Sequence, residues 1–204
     1  MIKNIVFDVG KVLVDFRWRE VMEQVGCTPE EIEMIAPVMV NGPLWNELDR
    51  GVLDEEDVIG QMLEALPDVP GLRKKASAFW QNVHRTIEAY PYSKDWLKGL
   101  QEKGYRTFLL TNYPRSLYQN TAESEFTFLP YTDGVLVSSH EKLIKPDVAI
   151  YERLCSKFGL LPEECVFIDD RLVNIQGAEC AGMKGIHFTE FEEVREQLQR
   201  LLEQ

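Results

Sequence analysis

Five short apolar runs, at residues 2–7, 106–110, 134–137, 165–168 and 185–188, constrain this chain more than any other feature. Each has the length of a strand, and from residue 94 onward they alternate with stretches of helical spacing at 94–103, 114–123, 147–158, 171–181 and 190–202. A strand followed by a helix before the next strand is a crossover unit, not a hairpin. The strands then lie parallel, and the helices cover both faces of the sheet. Turn signals fall between the elements: Lys103-Gly104 before a strand, Phe158-Gly159 after a helix, Ala181-Gly182 before the last strand.

Residues 16–88 break this rhythm and read as several helices with no strand among them. Thr28 caps one helix with Pro29 in its first turn. Asp54 and Asp57 start another, whose Val58, Ile59, Met62, Leu63 and Leu66 recur at helical spacing. The expected organisation is therefore α/β: a core domain of residues 1–15 and 89–204, interrupted after its first strand by a helical cap domain of residues 16–88. Such an insert can sit over the carboxyl ends of the strands, where open α/β sheets bind ligands.

With 204 residues, 45 % of them hydrophobic, the chain has material for a real core in one or two domains. The formal net charge of −12 argues against nucleic acid or an anionic membrane as a partner. It also requires a local reversal of sign wherever an anionic substrate binds, which a divalent cation and a few lysines would supply. No apolar run approaches the ~18 residues of a membrane span, and no signal-peptide pattern opens the chain. The four cysteines, Cys27, Cys155, Cys165 and Cys180, form no C-x-x-C pair and read as reduced thiols of a cytoplasmic protein.

Chemistry gathers where the apolar runs end. The first run ends at Asp8, and the fourth at Asp169-Asp170, with Asn174 four residues beyond. One of these adjacent carboxylates could merely cap the helix that begins near Arg171, but two behind a buried strand repel each other and call for a cation. Mg²⁺ suits them, since it takes hard oxygen ligands and commonly only one or two carboxylates. The second run ends at Thr111-Asn112, a hydroxyl and an amide able to hydrogen-bond a phosphate oxygen. Lys145-Pro146 stands before a later helix, where the lysine either is a solvated charge or delivers a positive point charge to an anion.

The order Asp, Thr, Lys-Pro, Asp-Asp resembles the four motifs of the haloacid dehalogenase superfamily, over nearly the whole chain. The run Phe7-Asp8-Val9-Gly10-Lys11-Val12-Leu13-Val14-Asp15 and the segment Trp45-Asn46-Glu47-Leu48-Asp49-Arg50-Gly51 resemble a bacterial branch that includes sugar-phosphate phosphatases, among them α-glucose-1-phosphate phosphatases. The resemblance implies a Rossmann-like core with a helical cap, and a Mg²⁺-dependent phosphohydrolase acting on a small phosphorylated metabolite. It implies Asp8 as the nucleophile that forms an aspartyl-phosphate and also binds the metal. Asp170 is then the second direct carboxylate ligand, with Asp169 in or next to the inner shell and the Gly10 carbonyl also on the metal. Val9, Gly10, Thr111, Asn112 and Lys145 hold the phosphate, Lys145 neutralises the transition state, and Asn174 orients Asp170 or the lysine. The same superfamily holds 2-haloacid dehalogenases, and a non-catalytic phosphometabolite binder is the other alternative.

One departure matters. Most phosphatases of this superfamily carry an Asp two residues after the nucleophile as general acid and base, and here that position is Gly10. Either the leaving group departs unaided, or Asp15, Glu47 or Asp49 substitutes, or the protein only binds its ligand. Taken singly, Asp15, Glu47 and Asp49 read as surface carboxylates. Trp45 and Arg50 read as helix-packing residues before substrate contacts, and His84, His140 and His187 show no ligand spacing.

Overall fold

The computed structural model describes residues 1–203. Its strands, in chain order, are β1 (Asn4–Phe7), β2 (Val14–Phe16), β3 (Ile87–Ala89), β4 (Arg106–Thr111), β5 (Gly134–Val137), β6 (Cys165–Asp169) and β7 (Lys184–His187). Five of them form one parallel sheet in the order β5-β4-β1-β6-β7. β1 is the central strand, with Phe7 in register with Leu109 on one side and Ile168 on the other.

The apolar runs are continuous, not alternating, because both sheet faces are covered. Successive side chains of β1 point to opposite faces. Ile5 and Phe7 join Trp96, Leu97 and Leu100 of helix Ser93–Glu102 and Val194 and Leu198 of helix Phe191–Leu202. Val6 joins Ile150, Tyr151 and Leu154 of helix Val148–Phe158 and Ile175 and Ala178 of helix Leu172–Cys180. A fully buried side chain of this kind stabilises by about 1.5–3 kcal/mol. Burying a charge costs several kcal/mol unless it is paired. The carboxylates behind β1 and β6 are therefore tolerated only with the partners described below.

Between β2 and β3 lie helices Trp18–Gln24, Pro29–Met39, Pro43–Arg50, Glu55–Ala65 and Leu72–Gln81. Thr28 and Glu31 form a reciprocal capping box with Pro29 at the helix start, and Asp54 accepts from the backbone N–H groups of Glu56 and Asp57. Met22, Ile32, Ile35, Met39, Met62 and Phe79 pack the interior of this insert.

Two expectations need correction. Residues 16–88 are not bounded by pure helix: β2 and β3 pair antiparallel across the ends of the insert, Phe16 opposite Ile87. At three residues each, these strands are too short for period-two patterning to stand out. A short helix, Ser138–Glu141, also follows β5 where none was expected. Among the described residues no helix is long and apolar enough to cross a membrane. All four cysteines are free, and only Cys180 is exposed.

Candidate active site

The chain leaves β1 into the insert, returns through β4 on one side of β1, and reaches the other side only at β6. This reversal opens a crevice at the carboxyl ends of β4, β1 and β6. Asp8, directly behind β1, donates its backbone N–H to the Ile168 carbonyl at 2.9 Å. Its Oδ1 accepts from the Val9 N–H at 2.7 Å and pairs with Lys145 Nζ at 2.8 Å. Lys145 is no solvated charge. It is 3 % exposed, and its ammonium also meets Asp169 Oδ2 at 2.7 Å and the Leu110 carbonyl at 3.2 Å. An ammonium has three donors, and all three are used.

Asn112 holds this lysine in place. Its carbonyl accepts from the Lys145 N–H at 2.9 Å and its amide donates to the Lys145 carbonyl at 3.1 Å. The expected phosphate contact from Asn112 is thus limited to one remaining amide hydrogen. Thr111 is buried at the end of β4, and Val9 is buried behind Asp8. Asp169 is fully buried: Oδ1 accepts from the Arg171 N–H at 2.8 Å, and the Asn174 amide reaches both oxygens at 3.0 Å. Asn174 therefore orients Asp169, not Asp170 or the lysine as expected. Asp170, half-buried, completes a set in which one carboxylate oxygen from each of Asp8, Asp169 and Asp170 lies within 4.8 Å of the others.

The electrostatics of this set are unbalanced. Burial pushes the Asp8 carboxyl up to about 7, Lys145 opposes that rise, and Asp169 adds to it. Burial alone would lower the Lys145 ammonium, but Asp169 and Asp8 outweigh it and raise it. Asp170 is raised by burial and then by Asp169. Three carboxylates face one ammonium, and a divalent cation would relieve the excess. Mg²⁺ holds oxygens at about 2.0–2.1 Å, so opposite ligands stand about 4 Å apart. A mutual separation within 4.8 Å is close to that span, and a set of hard carboxylate oxygens fits the ion.

Beside the carboxylates lies a cavity of about 400 Å³, walled on the core side by Asp8, Lys11, Lys145 and Arg171 and on the insert side by Trp45, Asn46 and Asp49. Lys11 is in the left-handed region, φ 58°, inside a tight turn in which the Leu13 and Val14 N–H groups both bond the Val9 carbonyl. Gly10 shows no positive φ, and no atom lies within 4 Å of a Cβ placed on it. The vacancy of charge at position 10 is therefore not forced by the backbone.

Asp49 is the main correction. It is 5 % exposed, not a surface carboxylate, and its Oδ1 is buried without a hydrogen-bond partner. Burial pushes its carboxyl up to about 8, against lowering by Lys145, with Asp8 raising it further and Arg171 lowering it. Asp15 instead accepts from the Phe16 N–H and the Tyr90 hydroxyl, and Glu47 does not line the cavity. Trp45 both packs between Phe16 and Trp80 and lines the cavity. Arg50 pairs with Asp147 at 3.5 Å. The histidines are all exposed. Arg171 had no readable signal in the sequence, and Lys11 was visible only as a member of the run that follows Asp8. For Asp49 the signal was its spacing of four from Trp45, which puts both on one helix face.

Comparison with known proteins agrees with this architecture. The haloacid dehalogenase-like hydrolase family matches residues 2–182. A sesquiterpene phosphatase of Aspergillus oryzae is 24 % identical over 188 residues, covering 92 % of this chain and 90 % of the relative. A phosphatase of Mycobacterium tuberculosis is 28 % identical, covering 90 % and 85 %. A phosphoglycolate phosphatase of Haemophilus influenzae is 26 % identical, covering 91 % and 78 %. Among solved structures, a family enzyme of Bacteroides thetaiotaomicron in complex with magnesium and inorganic phosphate superposes with a TM-score of 0.72 at 23 % identity, covering 93 % of this chain and 95 % of that one. The L-2-haloacid dehalogenase of Xanthobacter autotrophicus shares the fold at a TM-score of 0.68 and 21 % identity, covering 95 % and 80 %. The chain is an enzyme of the haloacid dehalogenase-like hydrolase family.

Proposed function

We propose that this protein is a Mg²⁺-dependent phosphohydrolase that cleaves small phosphate monoesters through an aspartyl-phosphate on Asp8, beneath a cap formed by residues 16–88. The observation that carries this is the Asp8 carboxylate at the end of the central strand, 2.8 Å from Lys145 Nζ and within ion-holding distance of Asp169 and Asp170. Mg²⁺ held there would neutralise phosphate charge and favour the ionised form of Asp8. Asp8, Asp169, Asp170 and the Gly10 carbonyl are the groups that would hold it.

Asp8 attacks phosphorus and splits the hydrolysis into two displacements, each with a lower barrier. Lys145, fixed by Asn112 and Asp169, offsets the charge that gathers on the phosphate oxygens, and being already held it needs no reorganisation to do so. Thr111 and the backbone of Val9 and Gly10 stand at the ends of β4 and β1 and are the further groups that would hold the phosphate, although none of them lines the cavity itself. The carboxylate set also speaks against halide release, since two extra negative charges beside an anionic haloacid would repel it. The cavity suits a sugar phosphate: its volume matches a small ligand, the Trp45 face offers a surface for a ring, and Asn46 and Arg171 offer donors for hydroxyls.

The test is phosphate release from p-nitrophenyl phosphate with and without Mg²⁺, with halide release from chloroacetate as the control. Phosphate release should require the metal and vanish in EDTA. Asp8→Asn should keep the fold by circular dichroism and lose more than 99 % of turnover, equivalent to about 2.7 kcal/mol or more in the barrier. Undiminished turnover after metal stripping, or an active Asp8→Asn protein, would refute the mechanism.

A further inference from the structure

The phosphohydrolase reading leaves a proton unaccounted for, because Gly10 carries no acid. We propose that Asp49, reaching the cavity from the insert, is the general acid for the leaving group and then the general base for water. This inference rests on the phosphohydrolase reading.

Geometry carries it. Asp49 lies in the last turn of helix Pro43–Arg50, on the same face as Trp45, and lines the cavity opposite Asp8 and Lys145. The core fixes its position. The Ser138 hydroxyl donates to the Asp49 carbonyl at 2.5 Å while accepting from the Tyr113 N–H at 2.9 Å, so the end of β4 and the insert helix share one hydroxyl. Gly51 then ends the helix at φ 65°, where an added Cβ would stand 2.5 Å from the Ser139 carbonyl oxygen. The side chain delivered by this anchoring is 95 % buried, with Oδ1 lacking any partner. A buried polar atom left unsatisfied is uncommon in native proteins and calls for an explanation, a catalytic role being one and a bound water or ion another. The groups around it set its ionisation in the direction the task needs. Burial and the negative charge of Asp8 favour the neutral acid, and Lys145 and Arg171 oppose them less strongly.

The steps balance. Asp8 Oδ bonds to phosphorus as the P–O bond to the leaving group breaks, and the Asp49 proton passes to that oxygen, releasing an alcohol and leaving Asp49 ionised. Water then attacks phosphorus and gives a proton to Asp49 as the Asp8–phosphorus bond breaks. Phosphate leaves, Asp8 is again a carboxylate, and Asp49 is again an acid.

The experiment compares the parent and Asp49→Asn, with Mg²⁺ present, on p-nitrophenyl phosphate and glycerol phosphate. Nitrophenolate leaves without help, and an alkoxide does not. Asp49→Asn should lower kcat/KM for glycerol phosphate by about 10²–10⁴-fold, and for the aryl ester by less than about tenfold. It should also show a burst of nitrophenol as phosphoenzyme accumulates on Asp8. Adding Gly10→Asp, for which there is room, should restore alkyl hydrolysis. An equal fall on both substrates, or no fall on either, overturns the role of Asp49 while leaving the phosphohydrolase intact. A parent that releases no phosphate from either ester overturns the phosphohydrolase reading, and the role of Asp49 with it. If Asp49→Asn fails to fold, the parent decides: a shallow dependence on leaving-group acidity is expected, and a steep one refutes the proposal.

Discussion

Lys145 holds two buried carboxylates at 2.7 and 2.8 Å, whereas Lys142, three residues earlier, is exposed. Removing the first leaves Asp8 and Asp169 buried without a cation, which typically costs about 3–5 kcal/mol. Lys145→Ala should therefore lose turnover and melt well below the parent, while Lys142→Ala should stay within about 0.5 kcal/mol of it. Thermal melts and phosphate release check both, and equal effects would show the two lysines to be interchangeable. Asp49 makes a prediction of opposite sign. Its carboxyl rises from 3.8 to about 8 on folding, so the folded state binds the extra proton between those values. Its contribution to stability is present in full below about pH 4 and is lost as pH rises through 8. In EDTA, Asp49→Asn should gain on the parent between pH 4 and pH 8, read as a widening Tm difference. A constant difference would mean that Asp49 ionises freely. Asp8, Asp169 and Asp170 were legible in the sequence because a charge directly behind an apolar strand stands out. Asp49 could be named from the sequence only as a carboxylate able to stand in for the missing acid; its burial was not readable, because the Ser138 hydroxyl that holds its backbone carbonyl lies nearly ninety residues away.

At the scale of elements, helix Pro43–Arg50 joins insert and core through a contact that tolerates no side chain. Gly51→Ala combines a strained φ with an overlap on the Ser139 backbone. Gly26→Ala, at φ 89° in open space, carries the strain alone. Gly51→Ala should cost more than the roughly 1–3 kcal/mol of a strained residue and should lower kcat/KM by displacing Asp49. Gly26→Ala should leave kcat/KM unchanged. Measured Tm and kcat/KM for the pair check this, and an equal loss of activity in both would put the effect down to strain. The five sheet strands and their following helices were readable because a parallel sheet covered on both faces requires unbroken apolar runs. The β2–β3 ribbon was not, because three residues show no period and its pairing joins positions more than seventy apart. Helix Ser138–Glu141, at four residues, is a single turn, too short to show a helical period, and its Ser138 hydroxyl meets the insert at the Asp49 carbonyl.

For the whole molecule, a net charge of −12 opposes the approach of a phosphate dianion before it meets Lys145 or Lys11. Raising ionic strength from 0.01 M to 0.15 M shortens the Debye length from about 30 Å to about 8 Å. KM for a phosphate ester should fall over that range with kcat little changed, which initial rates at fixed free Mg²⁺ would show. A rise in KM would mean that local positive charge governs capture. The central place of β1 has a further consequence, for synthesis. Its Asn4 pairs with Cys165, 161 residues later, so the strand leaves the ribosome long before its second neighbour exists. At 5–20 residues per second that interval is roughly 8–30 s. During it the helical insert, whose contacts are local, is free to fold. The strand that leads into Asp8 must meanwhile wait with an unpaired apolar edge, the kind of surface that invites aggregation in a nascent chain.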